Sequence, residues 1–135
     1  MSHFTRVRTA LRDAGLLANA LGAAGFPAVE VHDEPQTLFG YHGDARPERA
    51  EVIVRRAHLG EASNDLGFRR TTDGTFEAII SEYDRRQYDE AWLGTVSQHY
   101  AHAATLRYAA ANGFEVATEQ RDADGTLRLT LRRLT

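Results

Sequence analysis

The chain contains no cysteine and no lysine. The first absence excludes disulfides, thiolate zinc sites and a cysteine nucleophile, and it fits a cytoplasmic protein. The second means that all 16 basic residues are arginine, so neither a lysine Schiff base nor a phosphate-loop lysine exists. A biased genome composition explains missing lysine. Arginine does not act as a base near neutrality, but its planar fork binds carboxylates and phosphates. A basic excess is also missing. The formal net charge of −3 argues against a protein whose main task is gripping phosphate backbones. A local basic stripe, with Arg128 and Arg132 as members, is compatible with that charge. No apolar run reaches the ~18–20 residues of a membrane span. The start, Met1-Ser2-His3-Phe4, lacks the apolar centre of a signal peptide. These features predict a mature chain that begins at Met1 or Ser2 and stays in the cytoplasm. There is no GxSxG elbow and no HExxH helix, and of the four serines only Ser2 has a neighbouring histidine, His3.

What is present reads as an ordinary folded protein. With 135 residues, 42% hydrophobic and 26% charged, the chain is predicted to form a single α+β domain over residues 1–135. Residues 3–11 alternate as a strand. Asp13 is a helix N-cap, Leu16, Leu17, Ala20, Leu21 and Ala24 form one helical stripe, and Gly25 ends it. Val29 and Val31 mark a second strand, broken by Glu34-Pro35-Gln36, and residues 37–41 return as a short partner. Residues 42–50, with Gly43 and Pro47, read as a loop. Residues 51–56 form a further strand and residues 58–65 a second polar loop. Asp73-Gly74 signals a hairpin between residues 66–71 and 75–81. Residues 89–112 read as a long helix of about 36 Å at ~1.5 Å per residue, with Gly94 predicted to make its first turn irregular. Gly113 stops it. Phe114, Val116 and Thr118 then alternate as a strand, Asp124-Gly125 turns, and Leu127, Leu129 and Leu131 alternate with Arg128, Thr130 and Arg132. Ala-Ala-Gly-Phe at 23–26 matches Ala-Asn-Gly-Phe at 111–114. The pattern predicts a mainly antiparallel sheet with two principal helices on one face, built as two pseudo-duplicated strand–helix–strand–strand halves.

Four places are candidates for chemistry. At the corner of residues 79–86, Glu82 and Asp84 are two apart and would share a strand face, as an acid/base pair does. Tyr83 lies between them, and Arg85 and Arg86 are placed to hold an anion or to tie the two halves together. Glu82 or Asp84 as a helix cap, within an acidic strand exit with locally paired arginines, accounts for the same residues and is the commoner case. In the loop after Gly40, Gly43 lets a backbone approach a ligand, with Asp44 and Arg46 beside it; a simple Asp–Arg pair across a turn explains them equally. Ser63, Asn64 and Asp65 are turn-formers that also have the groups to orient a ligand. His99 and His102 lie on one helical face, a spacing that suits metal ligands, and Glu82, Asp84 or His58 could complete a set; two surface imidazoles beside Tyr100 are the commoner case, and no metal or other cofactor is expected.

The segments MSHF, LFGYHGDARPERAEVIVRR, ASNDLGF, DGTFEAIISEYDRRQY and DGTLRLTLRR resemble the conserved hypothetical chloroplast reading-frame thirty-five family of cyanobacteria, plastids and other bacteria. The likeness covers nearly the whole chain. It implies a soluble protein with no settled activity. Because genes of that family tend to sit near those for an AAA-type ATPase and a small ferredoxin-like protein, it also implies an accessory or adaptor component of an ATPase system. The family's polar motifs fall on Gly43, Asp44, Arg46, Ser63, Asn64, Asp65, Glu82, Tyr83, Asp84 and Arg85, which are expected to form one ligand or partner surface. The alternative expectation is a small-molecule binder or an acid/base enzyme using Glu82 and Asp84, with Arg46 or Arg85 as anion clamp.

Overall fold

A computed structural model describes residues 3–134. In order, the elements are β1 (Phe4–Arg8), α1 (Ala14–Ala23), β2 (Glu30–Phe39), β3 (Ala45–Val54), β4 (Leu66–Arg70), β5 (Phe76–Ser81), α2 (Glu90–Asn112), β6 (Phe114–Arg121) and β7 (Leu127–Arg133). Short 3-10 turns follow β3 and β5, at Arg56–His58 and Asp84–Arg86. The main sheet is antiparallel, in the order β1-β5-β4-β3-β2, and β6 and β7 form a separate two-stranded ribbon. The chain is therefore α+β, with both principal helices on one face of the sheet.

Local chemistry sets the helix ends. The Asp13 carboxylate accepts the Leu16 N–H at 2.9 Å, and the Arg107 guanidinium reaches the same side chain. The first of these bonds, then the arginine, holds the Asp13 carboxyl below its usual range. Asp89 caps α2 in the same way through the Trp92 N–H, and Gly113 closes that helix in the left-handed conformation that glycine adopts without strain. The turn Asp73-Gly74 joins β4 and β5 as predicted.

Period-two alternation sends Phe76, Ala78 and Ile80 of β5 toward the helices. There they meet Phe68, Val52, Val54, Leu17 and Leu21, with Leu93 and Val96 from α2. Burying each large apolar side chain contributes roughly 1.5–3 kcal/mol. The opposite face is covered too. Ile53 and Ile79 are fully buried there with Leu38 and Ala50. Phe4, from the edge strand β1, packs on the same cluster, although β1 and β2 lie at opposite edges of the sheet. The sheet must therefore curl, so that the far half of the β2–β3 hairpin folds back over it. Gly67 marks the closest approach: a Cβ there would lie 2.7 Å from the Ala50 Cβ and 3.0 Å from Leu38.

This curl explains where sequence patterning failed. Residues 42–50 are not a loop, because β3 already begins at Ala45. Its first part pairs only with β2, since β4 reaches residues 52–54 alone. One edge of that part is therefore open, and Pro47, with no N–H to donate, is tolerated there. Nor do residues 34–36 end a strand: β2 runs through Pro35, and register shifts between Val31 and Gln36 and between Thr37 and Phe39 absorb the irregularity. The first strand stops at Arg8 rather than running to residue 11. Gly94 sits in continuous helix, with open space around it. The strand–helix–strand–strand order does recur, as β1-α1-β2-β3 and β5-α2-β6-β7, but the second pair forms its own ribbon instead of joining the main sheet.

Candidate functional site

The polar motifs meet at the end of the sheet where β5 exits and the β2–β3 turn folds over. Two linked clusters form there. In the first, the Asn64 N–H donates to the Asp84 carboxylate at 3.0 Å, and the Asn64 amide donates to Ser81 Oγ at 2.9 Å. The Ser81 hydroxyl donates to the same Asp84 oxygen at 2.7 Å. The Asn64 carbonyl accepts the Tyr41 N–H at 3.0 Å, which anchors the hairpin turn. Asn64, Ser81 and Asp84 are all buried. Desolvation, then the Asp84 charge, pushes the neighbouring Tyr88 phenol above its usual value.

The second cluster centres on Asp65, also buried. Its carboxylate accepts from the N–H groups of Phe39 and Arg56, each at 2.8 Å, and from the Arg55 guanidinium at 2.9 Å. Arg55 continues outward as a fork onto Glu30, at 2.8 and 3.0 Å. That fork is the main reason the Glu30 carboxyl is lowered to about 2, with His32 helping. Arg56 reaches back to the carbonyls of Tyr41, Glu61 and Ser63. In effect, three otherwise separate segments are knotted together by charge-assisted bonds, which are about twice as strong as neutral ones.

The predicted surface residues divide accordingly. Ser63, Asn64, Asp65 and Asp84 are buried under the surface, while Gly43, Asp44, Glu82 and Tyr83 are exposed. Arg46 is half-buried, 3.5 Å from Asp44 and over the Phe4 ring on the second face of the sheet. Arg85 turns toward Glu90 and the Tyr88 carbonyl at the start of α2, and Arg86 stacks on Tyr83 with its guanidinium carbon 4.2 Å from the ring centre. These arginines act locally and do not tie two halves together. Glu82 and Asp84 do not share a strand face, because β5 ends at Ser81 and Asp84 opens a 3-10 turn. Neither caps α2, which Asp89 does.

Sequence reading misses Glu30, Arg55 and Arg56 as members of this assembly, and places Tyr41 and Ser81 in candidate stretches without assigning them a role. The available signal was the adjacent Arg55-Arg56 pair at the end of an apolar run, which needs a carboxylate partner once it folds inward.

A second region lies along α2. The ribbon packs loosely on this helix, leaving a cleft of about 400 Å³ lined mainly by Leu127, Leu129 and Leu131 of β7 and by Gln98, Ala101 and Thr105 of α2. On the β6 side, the His102 ring nitrogen lies 2.8 Å from a Glu119 oxygen but off the line of a hydrogen bond, and Arg121 bonds Gln98. Among the described residues, no group of three or more His, Asp or Glu is disposed to hold a metal ion. No described helix is long and apolar enough to cross a membrane.

The fold and its saturated polar knot thus belong to a chain whose likeness is to one family. The protein is a member of the family described as "Protein of unknown function (DUF1257)", which matches residues 28–130. The match takes in the knot and nearly all of the ribbon; β1 and α1 precede it. Among individual proteins, the chain is 25% identical over 134 residues to the uncharacterized protein ycf35 of Cyanophora paradoxa, with 98% of each chain covered. It is 26% identical over 137 residues to ycf35 of Guillardia theta, again with 98% of each covered. No solved structure matches the chain.

Proposed function

We propose that this chain is a non-catalytic accessory protein that docks a partner protein on the exposed rim above the buried knot. The partner class is the AAA-type ATPase expected from the family resemblance, with the small ferredoxin-like protein as a further component. One observation carries this reading: Asn64, Asp65 and Asp84 spend their polar atoms on one another and on the chain around them. Such a knot stiffens a surface rather than offering reactive groups to a ligand. What remains outside is aromatic and charged. Tyr83 is 41% exposed with Arg86 stacked on it, and Tyr41 lies against His42 with ring centres 3.9 Å apart. Tyrosine and arginine held rigidly are the groups that anchor protein interfaces. The acid/base alternative asks Glu82 and Asp84 to converge on a cavity. Glu82 is exposed, Asp84 faces Asn64 and Ser81, and the α2–β7 cleft starts at Gln98, ~12 Å along the helix from Glu90.

The test is affinity capture with the full chain, wild type beside a Tyr83→Ala Arg86→Ala double variant, with ATP present and absent. The expected result is stoichiometric recovery of an AAA-type ATPase by the wild type, lost in the double variant while its circular dichroism is unchanged. Recovery of a bound small molecule with no ATPase would refute the reading.

A further inference from the structure

Four strands lie at the borders of the two sheets among the described residues, β1, β2, β6 and β7, and three carry features that discourage pairing. The edge strand β1 is five residues long and exposes Arg6 and Arg8. Pro35 and two register shifts interrupt β2. A register shift also interrupts β6 between Val116 and Thr118, and this strand carries charges on its inner face, Glu119 and Arg121, directed at α2. Short strands, proline, bulges and inward charges are the usual protection of an edge. Among these four, β7 alone is neither short nor interrupted by a proline or a bulge, and its outer-face arginines Arg128 and Arg132 are paired within the ribbon. It runs seven residues without proline and presents Leu127, Leu129 and Leu131, all half-buried, beside an open apolar cleft.

We propose that the outer edge of β7 pairs with the β7 of a second copy of this chain, antiparallel and centred on Leu129, to form a four-stranded sheet across a two-fold axis. The alternation of the strand selects both occupant and register. Centred on Leu129, every leucine faces a leucine: Leu129 its counterpart, Leu127 the Leu131 of the second copy. Arg128 then faces Thr130, and no like charges are opposed. Centring on Thr130 would set Arg128 against Arg132 twice, and centring on Leu131 would set Leu129 against Arg133; both are unfavourable cross-strand pairs. The arginines of the outer face are paired within their own ribbon, Arg128 with Asp122 at 2.7 Å and Arg132 with Glu115. These exposed pairs reduce the arginine charges without cancelling them, and the Leu129-centred register sets no arginine directly against another. The leucine row of the second copy closes the open side of the cleft, where Ala101 and Thr105 leave room beside the helix. The contact is isologous, so it ends at two copies and does not propagate.

The experiment is sedimentation or light scattering on the full chain up to roughly 0.5 mM, a range that detects weak association, combined with substitutions at two adjacent positions. Thr130 is exposed, so changing it leaves the core intact. Thr130→Arg opposes two like-charge pairs across the axis and is expected to weaken the dimer about 2- to 30-fold, and Thr130→Glu to strengthen it by a similar factor. Both effects should fade at high salt. Because the chain has no cysteine, Leu129→Cys introduces a single thiol. At the axis its Cα lies about 4.5–5.5 Å from its counterpart, within disulfide reach, so oxidation should trap a covalent dimer. Thr130→Cys, facing Arg128, should not. Circular dichroism shows whether each variant is folded. A monomer at every concentration, or a dimer indifferent to the charge at position 130, overturns the proposal. So does equal cross-linking at positions 129 and 130.

Discussion

Gly67 offers the most direct test of the curled sheet, because its backbone is ordinary and its surroundings are not. It has no left-handed backbone requirement, so Gly67→Ala introduces no conformational strain. Left to chain entropy alone, the change would stabilise the protein by about 0.4–1 kcal/mol, since alanine restricts the unfolded state. Sterically, however, the new methyl would lie 2.7 Å from the Ala50 Cβ, which is fixed to the β3 backbone, and 3.0 Å from a Leu38 methyl, which can rotate away. Overpacking of this kind costs about 1–3 kcal/mol. The net expectation is a loss of about 1–2 kcal/mol, which lowers a urea midpoint by roughly 0.5–1 M for typical slopes. Urea unfolding followed by tryptophan fluorescence reads this shift through Trp92, the only tryptophan. Adding Ala50→Gly removes the fixed atom, and a double-mutant cycle should show coupling of about 0.5–2 kcal/mol. Gly22→Ala is the control: nothing lies within 4 Å of a Cβ there, in the last turn of α1, so a gain of up to about 0.5–1 kcal/mol is expected. If Gly67→Ala were as stable as the wild type, the hairpin would not lie over β4 and the account of the second face would fail.

Three further outcomes follow from the knot. Asp65→Ala strands the N–H groups of Phe39 and Arg56 and leaves Arg55 held by Glu30 and the Thr37 carbonyl, and should lower thermal or urea stability by about 3 kcal/mol, because two buried donors lose their acceptor. Asn64→Asp places a second carboxylate against Asp84; the variant should be much less stable than wild type at pH 7 and recover part of the gap as the pH falls and the pair takes up a proton. Glu30 has its carboxyl lowered from 4.5 to about 2, so its contribution is complete above pH ~4.5 and is lost as the pH falls toward ~2. Replacement by Gln should remove roughly 1 kcal/mol of acid-sensitive stability, discounted because the Glu30 side chain is 38% exposed; a stability-versus-pH curve parallel to the wild type between those values would contradict it.

Short-range chemistry was legible in the sequence and long-range curvature was not. Asp13, Gly25, Asp89, Gly113 and the Asp-Gly turns act within one or two turns of chain, and each lies at an element boundary. The part of β3 at Ala45–Val54 that reads as a polar loop is a strand only because β2 lies along it, and β2 crosses Pro35 only because its register can slip. Neither fact is encoded in alternation. At the candidate site, Asn64, Asp65 and Asp84 stood out as polar types in turns. Their burial did not, because it depends on the hairpin folding over them and on Arg55 and Arg56 turning inward.

The long helix α2 has a consequence for how the molecule opens. Its first turns hold Leu93 and Val96 in the main core, whereas its last turns carry Ala109 and the ribbon, with Tyr108 stacked on Phe114 at 6.2 Å. One rod thus joins a densely buried body to a sparsely buried appendage. Regions with few buried contacts open at lower free energy than the core. Backbone amides of β6 and β7 should therefore exchange with solvent well before those of β4 and β5, and the middle of α2 should mark the boundary between a fast and a slow half of the same helix.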